Sequence, residues 1–360
     1  MNNDNAIETL YQYASDYRFH EFDLLLSAME EKASSDEFFE AYLMRAQIKL
    51  YTADLSILED LSMAKKAGVK NPQFPMLKSK WKGDSPNRFI VFPTTPGALQ
   101  AFLEALPQIG AKLALWYGEQ GHILARQIES EIYYFTGDTE RALMLAEEQY
   151  AVKVKSNTDA IWALIVQYRC NLALAQPQKA EQNMFDIIRC SKAYPECVEI
   201  YKAFRVWVNL TTGWNGDSPR FYEDKDGKKQ PVFKDRLEGI NMGIARSSTC
   251  ETPFVEYAKR SYDGTLMLRH LYMVIFNAMY WTSVGDCAQV NLYFTNAYDI
   301  ARASGIVMPL IESGEQIMPL IKYIKDKNVT YASDWLDDIM ARAVRYEECL
   351  RLYQTEDSNG

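Results

Sequence analysis

The chain has 360 residues and a formal net charge of -9 at pH 7, too long for one ordinary compact core and too acidic for a nucleic-acid surface built on excess Lys and Arg. Its six cysteines show no C-x-x-C spacing, and the N-terminus Met1-Asn2-Asn3-Asp4-Asn5 is polar. These features argue against a disulfide framework and a secretory signal, and predict reduced thiols in a cytoplasmic protein. No apolar run approaches ~18 residues, so no segment reads as membrane-spanning.

Helical periodicity starts near the N-terminus. Ala6 to Tyr17 and Glu21 to Lys32 read as amphipathic helices, the second with Phe22, Leu25, Leu26 and Met29 on one side. Ser34-Ser35-Asp36 offers a cap for a third helix carrying Phe39, Leu43, Ala46 and Leu50. That helix turns at Thr52-Ala53-Asp54 into a partner from Leu55 to Ala67, stopped by Gly68. Residues 1–70 are therefore read as N-terminal helix pairs. Across 71–96, Pro72, Pro75, Pro86, Pro93 and Pro96 break the pattern. A loop is predicted there, with Phe89-Ile90-Val91-Phe92 extended or packed as a plug.

Central pairs are expected over 97–211. After a helix from Gly97 to Leu106, the clearest hairpin spans Gly121 to Tyr150 and turns at Gly137-Asp138, with Leu124, Ile128, Ile132 and Phe135 facing Leu143, Ala146 and Tyr150. Thr158 to Leu174 and Gln178 to Lys192 form a second pair around Ala175-Gln176-Pro177, followed by a helix from Glu196 to Thr211. A polar loop is read at 212–234; Gly213 to Lys229 is its structureless candidate. C-terminal pairs follow over 235–326: short helices at Asp235 to Arg246 and Phe254 to Arg260, then Leu266 to Val284 and Gln289 to Ser304 around Gly285-Asp286. A terminal helix and tail occupy 327–360.

No single pair can bury both of its apolar stripes, so the pairs must stack. Their turns align: Ala53, Gly137, Ala175 and Gly285 are each followed five residues later by Leu58, Ala142, Ala180 or Val290. The spacings suit two, one and three units of roughly 34 to 45 residues. The predicted fold is all-α, a single α-solenoid of antiparallel helix pairs like tetratricopeptide repeats, diverged in register.

Such stacks hold partners on the concave side. The register places Gln127, Glu131 and Tyr134 there from one unit, Trp162, Ile165 and Arg169 from the next, and Tyr272, Met279 and Thr282 from a later one. Trp162 and Tyr272 suit stacking on a ligand, and Arg169 suits a bidentate clamp on an anion. Most of these aromatics are expected to be inter-repeat core, with the ligand groove as the alternative. The candidate ligand- or partner-binding residues are thus Gln127, Glu131, Tyr134, Trp162, Arg169 and Tyr272. His20, His122 and His270 are isolated, and Asp224-Lys225-Asp226-Gly227 fails as a calcium loop because Tyr222 and Phe233 fall where carboxylates are required. No metal site, cofactor or catalytic motif is predicted.

Met308-Pro309-Leu310-Ile311-Glu312-Ser313-Gly314-Glu315-Gln316-Ile317-Met318-Pro319-Leu320-Ile321 resembles a segment near the end of the helical-repeat region of MalT-type regulators in the LuxR family. The stretch from Tyr262 to Leu350 carries the resemblance; the rest is similar only in helix-pair rhythm. The resemblance implies the sensor array of a signalling ATPase that controls transcription. The chain has no G-x-x-x-x-G-K-[ST] phosphate loop and ends at Gly360, where such regulators continue into a helix-turn-helix domain. It therefore reads as a sensor array taken from a longer regulator or as a stand-alone relative. The expected function is a non-catalytic sensor and protein-interaction module that binds a small-molecule effector or partner protein. It would make no direct nucleic-acid or membrane contact, and self-association is left open. The alternative is a stand-alone scaffold of tetratricopeptide type.

Overall fold

Short-range signals in the sequence become helix ends in the structure, a computed structural model that describes residues 3–15, 18–29, 34–67, 87–152, 155–212, 221–223, 229–231, 267–327 and 331–355. Among these residues the chain forms α1 (Asn3–Ser15), α2 (Phe19–Met29), α3 (Ser35–Tyr51), α4 (Ile57–Ala67), α5 (Ala98–Tyr117), α6 (Glu119–Thr136), α7 (Thr139–Ala151), α8 (Asn157–Ala173), α9 (Pro177–Ala193) and α10 (Val198–Thr212). It continues with α11 (Met267–Val284), α12 (Cys287–Ser304), the short α13 (Met308–Ile311), α14 (Met318–Lys327) and α15 (Ser333–Thr355). Ser34 caps α3 in a reciprocal box with Glu37, and Ser156 caps α8 in the same way with Asp159.

The four aligned turns share one backbone device. Ala53, Gly137, Ala175 and Gly285 all have positive φ, at 50°, 91°, 55° and 83°. After each of them, the next residue's N–H closes on a carbonyl five residues back: Asp54 to Lys49, Asp138 to Tyr133, Gln176 to Asn171 and Asp286 to Trp281. This is the Schellman closure of a helix C-terminus. Ala142, Ala180 and Val290 are buried at the shared position, and Leu58 is partly buried there. The fold is all-α, and consecutive helices pack as antiparallel pairs joined in one continuous apolar core.

Three features go beyond the sequence expectations. Helix α5 runs through Pro107 to Tyr117 rather than stopping at Leu106, because Ile109 and Leu113 continue its buried face. The predicted helices at 235–246 and 254–260 lie outside the described residues. Within the polar loop, Phe221–Glu223 (β1) and Lys229–Pro231 (β2) pair as a two-stranded antiparallel ribbon, with Tyr222 opposite Gln230. The array also closes on itself. Helix α15 packs on α8 and α9, the Val307 N–H donates to the Phe135 carbonyl at 2.8 Å, and Arg342 reaches the Gly137 carbonyl at 3.0 Å.

Candidate functional site

Helix α6 carries Gln127, Glu131 and Tyr134 at successive i+4 and i+3 positions, so one face of it presents all three to the interior. All three are buried, as is Arg169 on α8. Trp162 on α8 and Tyr272 on α11 are partly buried against the same core. The six residues are therefore brought into one interior. What they face is the chain's own segment Asn87–Phe92 and the Glu312 carboxylate.

Segment 87–92 is neither helix nor strand, bends at Arg88, and buries Asn87, Arg88, Phe89, Ile90 and Phe92. The N–H groups of Arg88 and Phe89 donate to the Glu131 carboxylate at 3.2 and 2.7 Å, and Gln127 donates to the same carboxylate at 2.8 Å. Ile90 then bridges two distant helices: its N–H donates to the Tyr51 carbonyl, and its carbonyl accepts from the Leu268 N–H. The sequence predicts this plug; its partners are a tertiary result.

Two arginines anchor the start of the segment. Arg88 lies 4.0 Å over Trp162 and donates to Asp159 at 2.6 Å in an almost fully buried ion pair. Burial alone would raise the Asp159 pKa, but Arg88, Ser156 and Gln120 together hold the carboxyl below its ordinary range. The Arg169 guanidinium stacks 3.9 Å from the Trp207 ring and donates from Nη1 to Asn87. Its Nε and Nη2, the remaining side of the fork, meet no hydrogen-bond partner among the described residues.

The Tyr134 and Tyr272 hydroxyls both donate to Glu312, and the Trp207 indole N–H donates to Tyr272 at 3.2 Å. Burial pushes the Glu312 carboxyl up, and nearby Arg169 and the two tyrosines pull it down only partly. Glu131 is likewise raised by burial against the opposing donors of Phe89, Gln127 and Arg88 and the charge of Arg169. Burial, then the Glu312 charge, raises both tyrosines, so they stay protonated donors at neutral pH.

The sequence reading missed Asn87, Arg88, Asp159, Trp207 and Glu312 as site residues. Asp159 had a local signal in the S-x-x-D spacing from Ser156, and Arg88 directly precedes the predicted plug. Trp207 had none, and Glu312 stood within the Met308 to Ile321 segment with no spacing that named its distant partners. Of the histidines, His270 is buried beside Asn296, and burial lowers its pKa. Among the described residues no three His, Cys, Asp or Glu side chains are grouped to hold a metal ion, and no described helix is long and apolar enough to cross a membrane. No known protein-family model matches the chain, and no curated protein matches it.

Proposed function

We propose that the chain is a non-catalytic sensor and protein-interaction module of a LuxR-type transcriptional regulator, similar to the helical-repeat region of the MalT type. The observation that supports it best is Arg169, buried to 1% exposure and walled by Trp207, Tyr134 and Phe135, with Nε and Nη2 left unpartnered. Those two groups form the planar fork that takes a carboxylate or phosphate bidentately. A small anionic effector held there would touch the region where segment 87–92, α8, α10 and α11 meet. It would therefore bias the packing between the early and late repeats, a population shift that neighbouring domains could read.

The test is a thermal-shift screen of small carboxylates and phosphate esters on the intact chain and on Arg169→Lys. Binding to the native state alone at about a hundredfold excess over Kd stabilises by ~2.7 kcal/mol. That shift is expected in the parent and lost in the variant, where the planar fork is gone. The same shift in both proteins, or in neither, sinks the effector reading. Regulation is tested separately by deleting the gene and profiling transcripts: a defined set of promoters should respond and recover on complementation.

A second reading, the stand-alone scaffold of tetratricopeptide type, draws on a different observation. Met63, Met144, Phe185 and Leu292 leave an exposed apolar side chain on the second helix of each aligned pair. Co-purification of a stable protein partner lost on Phe185→Asp, with unchanged transcripts, favours it.

A further inference from the structure

The α6–α7 hairpin opens, at the end away from Gly137, into a cleft of about 330 Å³. Glu119, His122, Ile123 and Arg126 line it from successive turns of α6, and Glu148, Gln149 and Val152 line it from the end of α7. None of these residues belongs to the Arg169 interior. The volume sits at the small end of ligand cavities, which run from ~300 Å³ upward, and suits a molecule of amino-acid size.

Two observations point to a ligand. Gln149 is buried to 1% exposure, yet neither its carboxamide nitrogen nor its oxygen meets a hydrogen-bond partner among the described residues. An orphaned buried amide is costly unless something completes it, and it offers one donor side and one acceptor side. The rim, in turn, carries both charge signs. Arg126 and His122 stand on α6 with Glu119, and Glu148 faces them from α7 in an ion pair with Arg126. That pair is half exposed on both partners, so opening it forfeits little.

We propose that this cleft binds a free L-α-amino acid. The ligand carboxylate takes the place of Glu148 on Arg126, with His122 beside it. The released Glu148, together with Glu119, receives the ammonium group. A polar group on the ligand side chain meets the Gln149 carboxamide. One intramolecular ion pair is exchanged for two to the ligand, and the buried amide gains its partners. This inference stands apart from the effector reading, since it uses neither Arg169 nor Glu312.

Isothermal titration calorimetry with the standard L-amino acids tests it on the full chain, up to about 10 mM ligand. At least one polar-side-chain amino acid should bind. Its N-acetyl and its methyl-ester derivatives should each bind at least about tenfold more weakly, because each removes one of the two charges. Gln149→Leu and Arg126→Ala should weaken binding by a similar factor while cooperative thermal unfolding is retained. The proposal is overturned by no binding across the panel, by derivatives that bind equally well, or by binding that survives both cleft variants. A variant that fails to unfold cooperatively is replaced by Gln149→Glu, which keeps size and polarity but removes the donor, and which must also weaken binding.

Discussion

The turns at Gly137 and Gly285 have the same local parts and opposite surroundings. Each glycine sits at left-handed φ, each is followed by an Asp that caps the next helix, and each closes the preceding helix through the same long hydrogen bond. A side chain at Gly285 would meet open space. One at Gly137 would collide with the Arg342 guanidinium and fall 2.9 Å from Val307. The α6–α7 pair is thus pinned by the C-terminal elements, whereas the turn of the α11–α12 pair is not. Identical local sequence logic can end as an exposed connector or as a partly covered joint, depending on what returns to cover it.

The contrast can be broken most strongly through the pinned side's interior. Asp159→Ala leaves Arg88 buried and unpaired and removes the carboxylate that accepts from the Ser156 N–H in the α8 capping box, so a loss of about 3–5 kcal/mol is expected in urea unfolding. A loss below about 1 kcal/mol would mean that Arg88 reaches water and that the interior is looser than its burial implies. The two turns come next and test the comparison directly. Gly137→Ala should lose about 2–4 kcal/mol, combining left-handed strain with displacement of Arg342 and Val307, whereas Gly285→Ala should lose only the strain, about 1–2 kcal/mol. Equal losses would erase the distinction between joint and connector.

A third test uses pH. Because burial raises the folded-state pKa of Glu312, its protonated form is favoured in the folded protein. That contribution is intact below the unfolded carboxyl's pKa and declines as pH rises through the folded value. Glu312→Gln keeps acceptor and size without titrating. The stability of the variant relative to the parent should therefore climb with pH above the ordinary carboxyl range, by at most ~1.4 kcal/mol per pH unit. A flat difference means that Glu312 is not strained by its burial. The smallest expected effect is a gain: Ala175→Gly relieves a non-glycine at positive φ and should stabilise by about 0.5–1 kcal/mol.

Much of the repeat logic was legible because it is local. Ala53 and Ala175 align with Gly137 and Gly285 by the apolar residue five positions on, and the left-handed φ they share follows from how a helix must end before an antiparallel partner begins. The plug was legible too, since clustered prolines beside Phe89-Ile90-Val91-Phe92 bar a helix and still demand burial. The expected end at Leu106 was too early, because Ile109 and Leu113 carry the buried face of α5 on through Pro107. The six candidate residues, expected on a concave face, are buried or partly buried against the chain's own core, and their neighbours there were not legible. No spacing rule links Glu131 to the backbone of Arg88, or Tyr134 and Tyr272 to Glu312.

Sequence alone determined the aligned turns and the capping boxes, though not the end of α5, because these depend on interactions within a few residues. Tertiary structure alone decided that the inner face closes over segment 87–92 and Glu312, and that the Gly137 turn lies beneath Arg342. Those outcomes depend on which distant groups satisfy one another's hydrogen bonds and charges once water is excluded, and that pairing is set only when the whole chain has packed.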